Sequence, residues 1–147
     1  MGLVFSADIR LSERTGMNPQ TLLHRQVNPS FIQTDRVTSQ VFRPTPKDNY
    51  KLSVSDGDQI TAERAYQRFV SIPLGKSVGV LSVSVEECHL LDVPPIPDPL
   101  KEEDGQPEQP DHCFIDFRNK NGKQIEKIAT QLRNHAINRG WTYGPIK

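Results

Sequence analysis

Residues 122–140, GKQIEKIATQLRNHAINRG, decide the fold. Ile125, Ile128, Ala129, Leu132 and Ala136 recur at the three- and four-residue spacing of one helical stripe, so the segment predicts an amphipathic helix with a single side to bury. Gly140 stands where a C-terminal cap belongs, and His135 and Arg139 place cations in the last turn, where the helix dipole favours them. Trp141 and Tyr143 are expected to fold back across the helix end. Such a stripe needs an apolar partner surface.

Upstream segments offer that surface as strands. Val78 to Val85 is the most hydrophobic run, aliphatic on both faces apart from Ser82 and Ser84, and predicts a central strand. Tyr50, Leu52 and Val54 alternate with Lys51, Ser53 and Ser55, the pattern of a half-buried antiparallel strand ended by Asp56-Gly57-Asp58. Val37 to Phe42 alternates as well and reads as a strand before the Arg43–Asn49 turn, and His112 to Phe117 reads as another. Thr61 opens a helix running to about Val70, with Ala65, Tyr66 and Phe69 on its apolar side. Asn18-Pro19 reads as the start of a short helix that ends before Asn28-Pro29. The first dozen residues show no period and read as a short strand or an arm. Interleaved helices and strands without a parallel βαβ signature predict α+β: a small mixed or antiparallel sheet of about four strands, one face covered by the C-terminal helix.

The 147 residues form one domain, 1–147, of which 35% are hydrophobic. No run reaches the roughly 18 apolar residues a membrane span requires, and the start of the chain shows no secretory core, so a cytoplasmic protein without a membrane partner is the expectation. Two cysteines are too few for a disulfide framework. Charge is balanced, with 18 basic and 18 acidic side chains, but unevenly distributed. Residues 92–117 carry an acidic excess, and residues 118–147 a basic one. Residues 93–111 hold six prolines and no aromatic residue, and predict a Pro-rich acidic loop, partly polyproline-like and partly disordered.

Few residue patterns point to chemistry. Cys88-His89 and His112-Cys113 flank the loop, and if their strands pair, Cys88 faces Cys113 and His89 faces His112. Adjacent strand residues diverge, so the four do not make a zinc site, and buried free thiols with no metal and no cofactor are expected. Gly75-Lys76-Ser77 lacks the upstream glycine of a phosphate loop. With no catalytic constellation evident, the leading expectation is a non-catalytic accessory domain that binds another protein. Its contact surface is the loop, at Pro97, Glu102, Glu103 and Asp104. A nucleic-acid surface is the second alternative, using Lys120, Lys123 and Lys127 with Trp141 to stack on a base.

A first alternative rests on the order of His24-Arg25, the hydroxyls Ser39 and Ser53, and a late carboxylate. That order resembles the one by which ADP-ribosyltransferases hold NAD. The resemblance implies a guanidinium on phosphate or ribose, a strand hydroxyl on the nicotinamide ribose, and a carboxylate beside the oxocarbenium-like centre. Glu86, Glu87 and Asp116 are the available carboxylates, and Glu87 completes the candidate set.

Overall fold

The computed structural model describes residues 17–103 and 105–147. Five strands form one sheet in the order β5-β1-β4-β7-β6: β1 (Leu22–Gln26), β4 (Lys51–Asp56), β5 (Val80–Ser84), β6 (Pro95–Pro97) and β7 (His112–Asp116). All its pairings are antiparallel. A separate two-stranded piece joins β2 (Ile32–Gln33) to β3 (Arg36–Val37). The helices are α1 (Ala62–Val70), α2 (Val85–Leu90) and α3 (Gly122–Arg139). The class is α+β, with the C-terminal helix on one sheet face. No helix among the described residues is long and apolar enough to cross a membrane.

Register divides the sheet into two unlike faces, because residues directly opposite one another across strands share a side. Leu23 sits opposite Val83, Val54 opposite Cys113 and Leu52 opposite Ile115. These residues join Ile125, Ile128, Ala129, Leu132 and Ala136 of α3 in one buried core. On the other face, His24 is opposite both Ser82 and Ser55, and Ser55 is opposite His112. A polar row therefore crosses four strands, and α1 lies over part of it.

The stripe at 125–136 folds as its spacing predicts. Asn121 and Gln124 add a reciprocal cap: Gln124 N–H donates to the Asn121 side chain (2.9 Å) and Asn121 N–H to Gln124 Oε1 (2.8 Å). Thr61 caps α1, and Arg64 N–H donates to its hydroxyl.

Elsewhere the chain departs from the sequence reading. Asn18-Pro19 makes a turn, not a helix, with Asn18 Oδ1 accepting from Gln20 N–H at 2.8 Å. The residues that follow are taken into β1 between β4 and β5. The alternating run 37–42 is not a strand beyond Val37. Ser39–Phe42 is a 3₁₀ turn, so the adjacent Val41 and Phe42 both reach the core instead of pointing to opposite sides. β5 is not central in strand order. It is buried throughout because helices cover its faces and the C-terminal segment its outer edge, where Val80 N–H donates to the Tyr143 carbonyl (2.8 Å) and Thr142 N–H to the Val80 carbonyl (2.9 Å).

Residues 85–90 are helical, which removes the expected strand pairing of Cys88-His89 with His112-Cys113. Ser84 and Glu87 form a capping box that turns the chain out of β5. Cys88 on α2 and Cys113 on β7 are buried free thiols. The 93–111 segment is ordered in part: β6 pairs with β7, and the bridges Leu100–Gln109 and Glu103–Gln106 fold its tip into a hairpin. Asp104 and the first dozen residues lie outside the described residues.

Candidate functional site: a basic cleft on the polar face

A cleft of about 440 Å³ opens on the polar face. Its floor is β1 and β4, with His24, Arg25, Gln26, Ser53 and Ser55. One wall is α1 and the segment after it, presenting Ala65, Arg68, Phe69, Ile72, Leu74 and Lys76. The opposite wall is the hairpin, through Leu100, Gln106 and Gln109, with His112 at its base; Asn28 and Phe31 close one end. Basic side chains and imidazoles line the cleft, and no Asp or Glu is among its described lining residues.

The imidazole and hydroxyl groups of the floor are held by neighbours. Thr142 Oγ1 lies 2.6 Å from Ser82 Oγ, and Ser82 Oγ lies 2.8 Å from His24 Nδ1, so the two hydroxyls form a short chain ending on the imidazole. His24 is 6% exposed. Burial lowers its pKa, and a hydrogen bond to the Ile60 backbone together with Asp56 and Asp111 opposes this without reversing it. The ring is therefore neutral near pH 7. Gly57 makes room for it: a Cβ there would stand 2.5 Å from the Leu22 carbonyl oxygen and 3.0 Å from His24 Nε2.

His112 ties the hairpin to the sheet. Its Nδ1 lies 3.0 Å from the Asp98 carbonyl oxygen and 3.3 Å from Asp98 Oδ2, and its Nε2 lies 3.2 Å from Ser53 Oγ. Arg68 reaches across from α1 and donates both terminal nitrogens to Asp111, each at 2.7 Å. Burial alone would raise the pKa of this carboxyl, but the arginine fork outweighs it and holds Asp111 below the usual carboxylate range. Arg68 is thus already neutralised.

Arg25 is not. Pairing between β1 and β4 stops after His24–Ser55, and beyond it the guanidinium takes neutral acceptors. Nε donates to the Val41 carbonyl at 2.8 Å and Nη1 to the Ser53 carbonyl at 3.0 Å, while the Phe31 ring centre lies 5.8 Å away. It makes no ion pair among the described residues. Burial pulls its pKa down to about 10, and Asp48 acts on it only through space. Two carbonyls occupy two of five N–H donors, and the other three have no acceptor among the described residues.

Of the residues singled out in the sequence, His24, Arg25 and Ser53 share this cleft. Ser39 and Glu87 do not. Ser39 sits in the 3₁₀ turn against α3, its hydroxyl 3.3 Å from Glu126 Oε1. Glu87 is engaged on α2, accepting from Ser84 N–H (2.8 Å) and Arg139 (3.1 and 3.0 Å), with His135 Nδ1 at 3.3 Å. Burial would raise its pKa, and these partners together hold it below the ordinary value. Glu86 meets Gln20, and Asp116 binds Arg118.

Pro97 belongs to β6, and Glu102 and Glu103 are exposed on the hairpin. Lys120 precedes α3 and pairs with Asp92 at 2.7 Å, whereas Lys123 and Lys127 are exposed on the helix. Trp141 is half-buried against the core, its ring 3.1 Å from where a Gly79 Cβ would stand, which removes a face from base stacking. No group of three or more His, Cys, Asp or Glu among the described residues is placed to hold a metal ion.

Sequence reasoning did not select Gln26, Arg68, Phe69 or Lys76. Gln26 follows His24 by two on β1 and so shares its face, and Arg68 and Ile72 follow Ala65 at helical spacing. Both signals were present, but neither says which helix meets which strand. Comparison with protein-family models, curated proteins and solved structures gives no match to this chain. The cleft's own chemistry therefore carries the functional argument.

Proposed function

We propose that this domain binds a small phosphate-bearing molecule in the cleft, with Arg25 as its anchor. The supporting observation is Arg25 itself: a part-buried cation hydrogen-bonded only to carbonyls, in a cleft whose described lining has no carboxylate. Holding a desolvated charge without a counter-ion is unfavourable, and a ligand oxyanion would remove that cost by taking the remaining donors. The volume lies in the range of small-molecule sites. Lys76, exposed on the rim, supplies a second positive charge, which favours a phosphate over a single carboxylate. This reading is one of binding without turnover. A transferase would need a carboxylate beside the ligand, and Glu87 has its own partners on α2.

Titration calorimetry with AMP tests the proposal. Binding that weakens about tenfold or more in Arg25→Ala, and several-fold in Lys76→Glu, supports it. Lys76 is exposed and makes no hydrogen bond or ion pair among the described residues, so its replacement separates ligand loss from misfolding. Absence of heat with AMP, ADP and inorganic phosphate overturns the reading.

A second reading, an accessory domain that docks another protein through the hairpin, is favoured by Leu74 (88% exposed) and Leu100 (37% exposed) standing together at the cleft mouth. Deleting 101–108, which spares β6, should then abolish partner capture while leaving the melting temperature nearly unchanged.

A further inference from the structure

The hairpin side of the cleft brings together three residues that no sequence spacing connects. Ser53 on β4 and His112 on β7 share the polar face: His112 stands opposite Ser55, and Ser53 precedes Ser55 by two on the same strand. Ser53 is exposed, and its Oγ lies 3.2 Å from His112 Nε2. Asp98 continues the β6–β7 pairing by one position, and its N–H donates to the His112 carbonyl at 2.8 Å. That pairing sets the Asp98 carbonyl oxygen 3.0 Å and Oδ2 3.3 Å from His112 Nδ1. A carbonyl and a carboxylate only accept, so the neutral ring carries its proton on Nδ1. Nε2 then keeps its lone pair, and the Ser53 hydroxyl donates to it. An exposed hydroxyl, an imidazole acceptor and a carboxylate behind the ring are the arrangement that activates a serine.

We infer that the cleft also hydrolyses a carboxylic ester, with Ser53 as nucleophile, His112 as general base and Asp98 as the residue that positions the ring. This adds turnover to the binding reading and stands without it, since no step acts on a phosphate. Ser53 Oγ attacks the ester carbon while its proton passes to His112 Nε2. The bond from that carbon to the alcohol oxygen breaks, and His112 gives the proton to the departing oxygen. Water, deprotonated by the same nitrogen, then attacks the acyl-serine. The acyl group leaves as the acid, and Oγ recovers its proton. Arg25 donates to the carbonyl of Ser53 itself, so positive charge stands within one residue of the developing oxyanion. Phe69, Ile72 and Leu100 line the walls, which suits a short apolar acyl group.

Hydrolysis of p-nitrophenyl butyrate by the full chain tests this, with a fluorophosphonate as a covalent trap. Turnover is expected, and peptide mapping should find the trap on Ser53. Ser53→Ala exchanges an exposed side chain and should keep the fold while abolishing the labelling and returning hydrolysis to the rate in buffer. His112→Gln should lower kcat about a hundredfold or more. Asp98→Asn should lower kcat about tenfold or more with KM unchanged, because it disturbs the ring's proton and not the apolar walls. Hydrolysis that Ser53→Ala leaves unchanged, or a trap attached elsewhere, overturns the inference, and the serine then only ties the hairpin to the sheet. Absence of both turnover and labelling overturns it as well, while the anion site stands or falls on its own calorimetry.

Discussion

The two faces of one sheet are built on opposite principles. Under α3, Leu23, Val54, Leu81, Val83 and Ile115 meet the helix stripe in one apolar core. Under α1, Ser82, His24, Ser55 and His112 run across the same strands in the alternate positions. Dispersion and water exclusion fix the first face, and they need only shape and volume. The second is fixed by hydrogen bonds that must each find a partner. The contrast teaches that strand alternation alone gives one sheet an apolar face and a polar one.

If that division holds, the largest loss of stability belongs to the apolar face. Leu132→Ala removes a fully buried side chain from the α3 stripe and should cost about 4 kcal/mol in chemical denaturation. Ser53→Ala, on the floor of the cleft, should cost less than about 0.5 kcal/mol, because the hydroxyl is exposed and its bond to His112 is long. Equal costs would erase the distinction between the faces.

The polar face also has an element on which stability depends strongly. Asp111 is 3% exposed and binds Arg68 through two 2.7 Å hydrogen bonds. Asp111→Asn leaves the guanidinium without its charge partner and should cost about 3 kcal/mol. The same change sharpens the functional comparison: at a temperature where the variant is folded, Arg68 becomes a second unpaired cation in the cleft, and AMP should bind several-fold more tightly. A variant that loses stability without gaining affinity would place the pair outside the binding surface.

Legibility in the sequence follows the same division. Ile125 to Ala136 shows its helix directly because a stripe is a local property of the chain, and Leu52 and Val54 show a strand for the same reason. Local signals also miscarried. The pair Ser84 and Glu87 is a capping box three residues apart, yet it is embedded in an aliphatic run, and the run suggested strand. Val41 and Phe42 alternate with polar neighbours as a strand would, but a 3₁₀ turn buries both. His24, Arg25 and Ser53 were identifiable as residue types able to grip an anion, and strand pairing brings them to one cleft. Ser39 shares their composition but stands across the sheet against α3. Phe69 and Arg68 were illegible as site residues for a different reason. Their role depends on α1 crossing β1, a long-range relation that no spacing within the helix encodes.

His24 offers the smallest effect and the finest test of how the polar face is held. Its imidazole is buried with Nδ1 on Ser82, and burial lowers its pKa below the ordinary value. In the unfolded chain it takes up a proton near pH 6.5, whereas in the folded chain it does so only at lower pH. Between those two values the unfolded state binds more protons, so stability rises with pH and is lost as pH falls below about 6.5. The slope from this one group is at most about 1.4 kcal/mol per pH unit. Asp111 and Glu87, held below their ordinary values, act in the same direction but only at more acid pH, as each nears protonation in the folded state. His24→Gln should therefore flatten the stability profile below pH 6.5 and leave the more acid limb set by the carboxylates unchanged, as read by denaturant titrations at each pH. A profile identical to that of the unsubstituted chain would mean that the imidazole is solvated, and that the chain of hydroxyls from Thr142 through Ser82 does not shape the floor of the cleft.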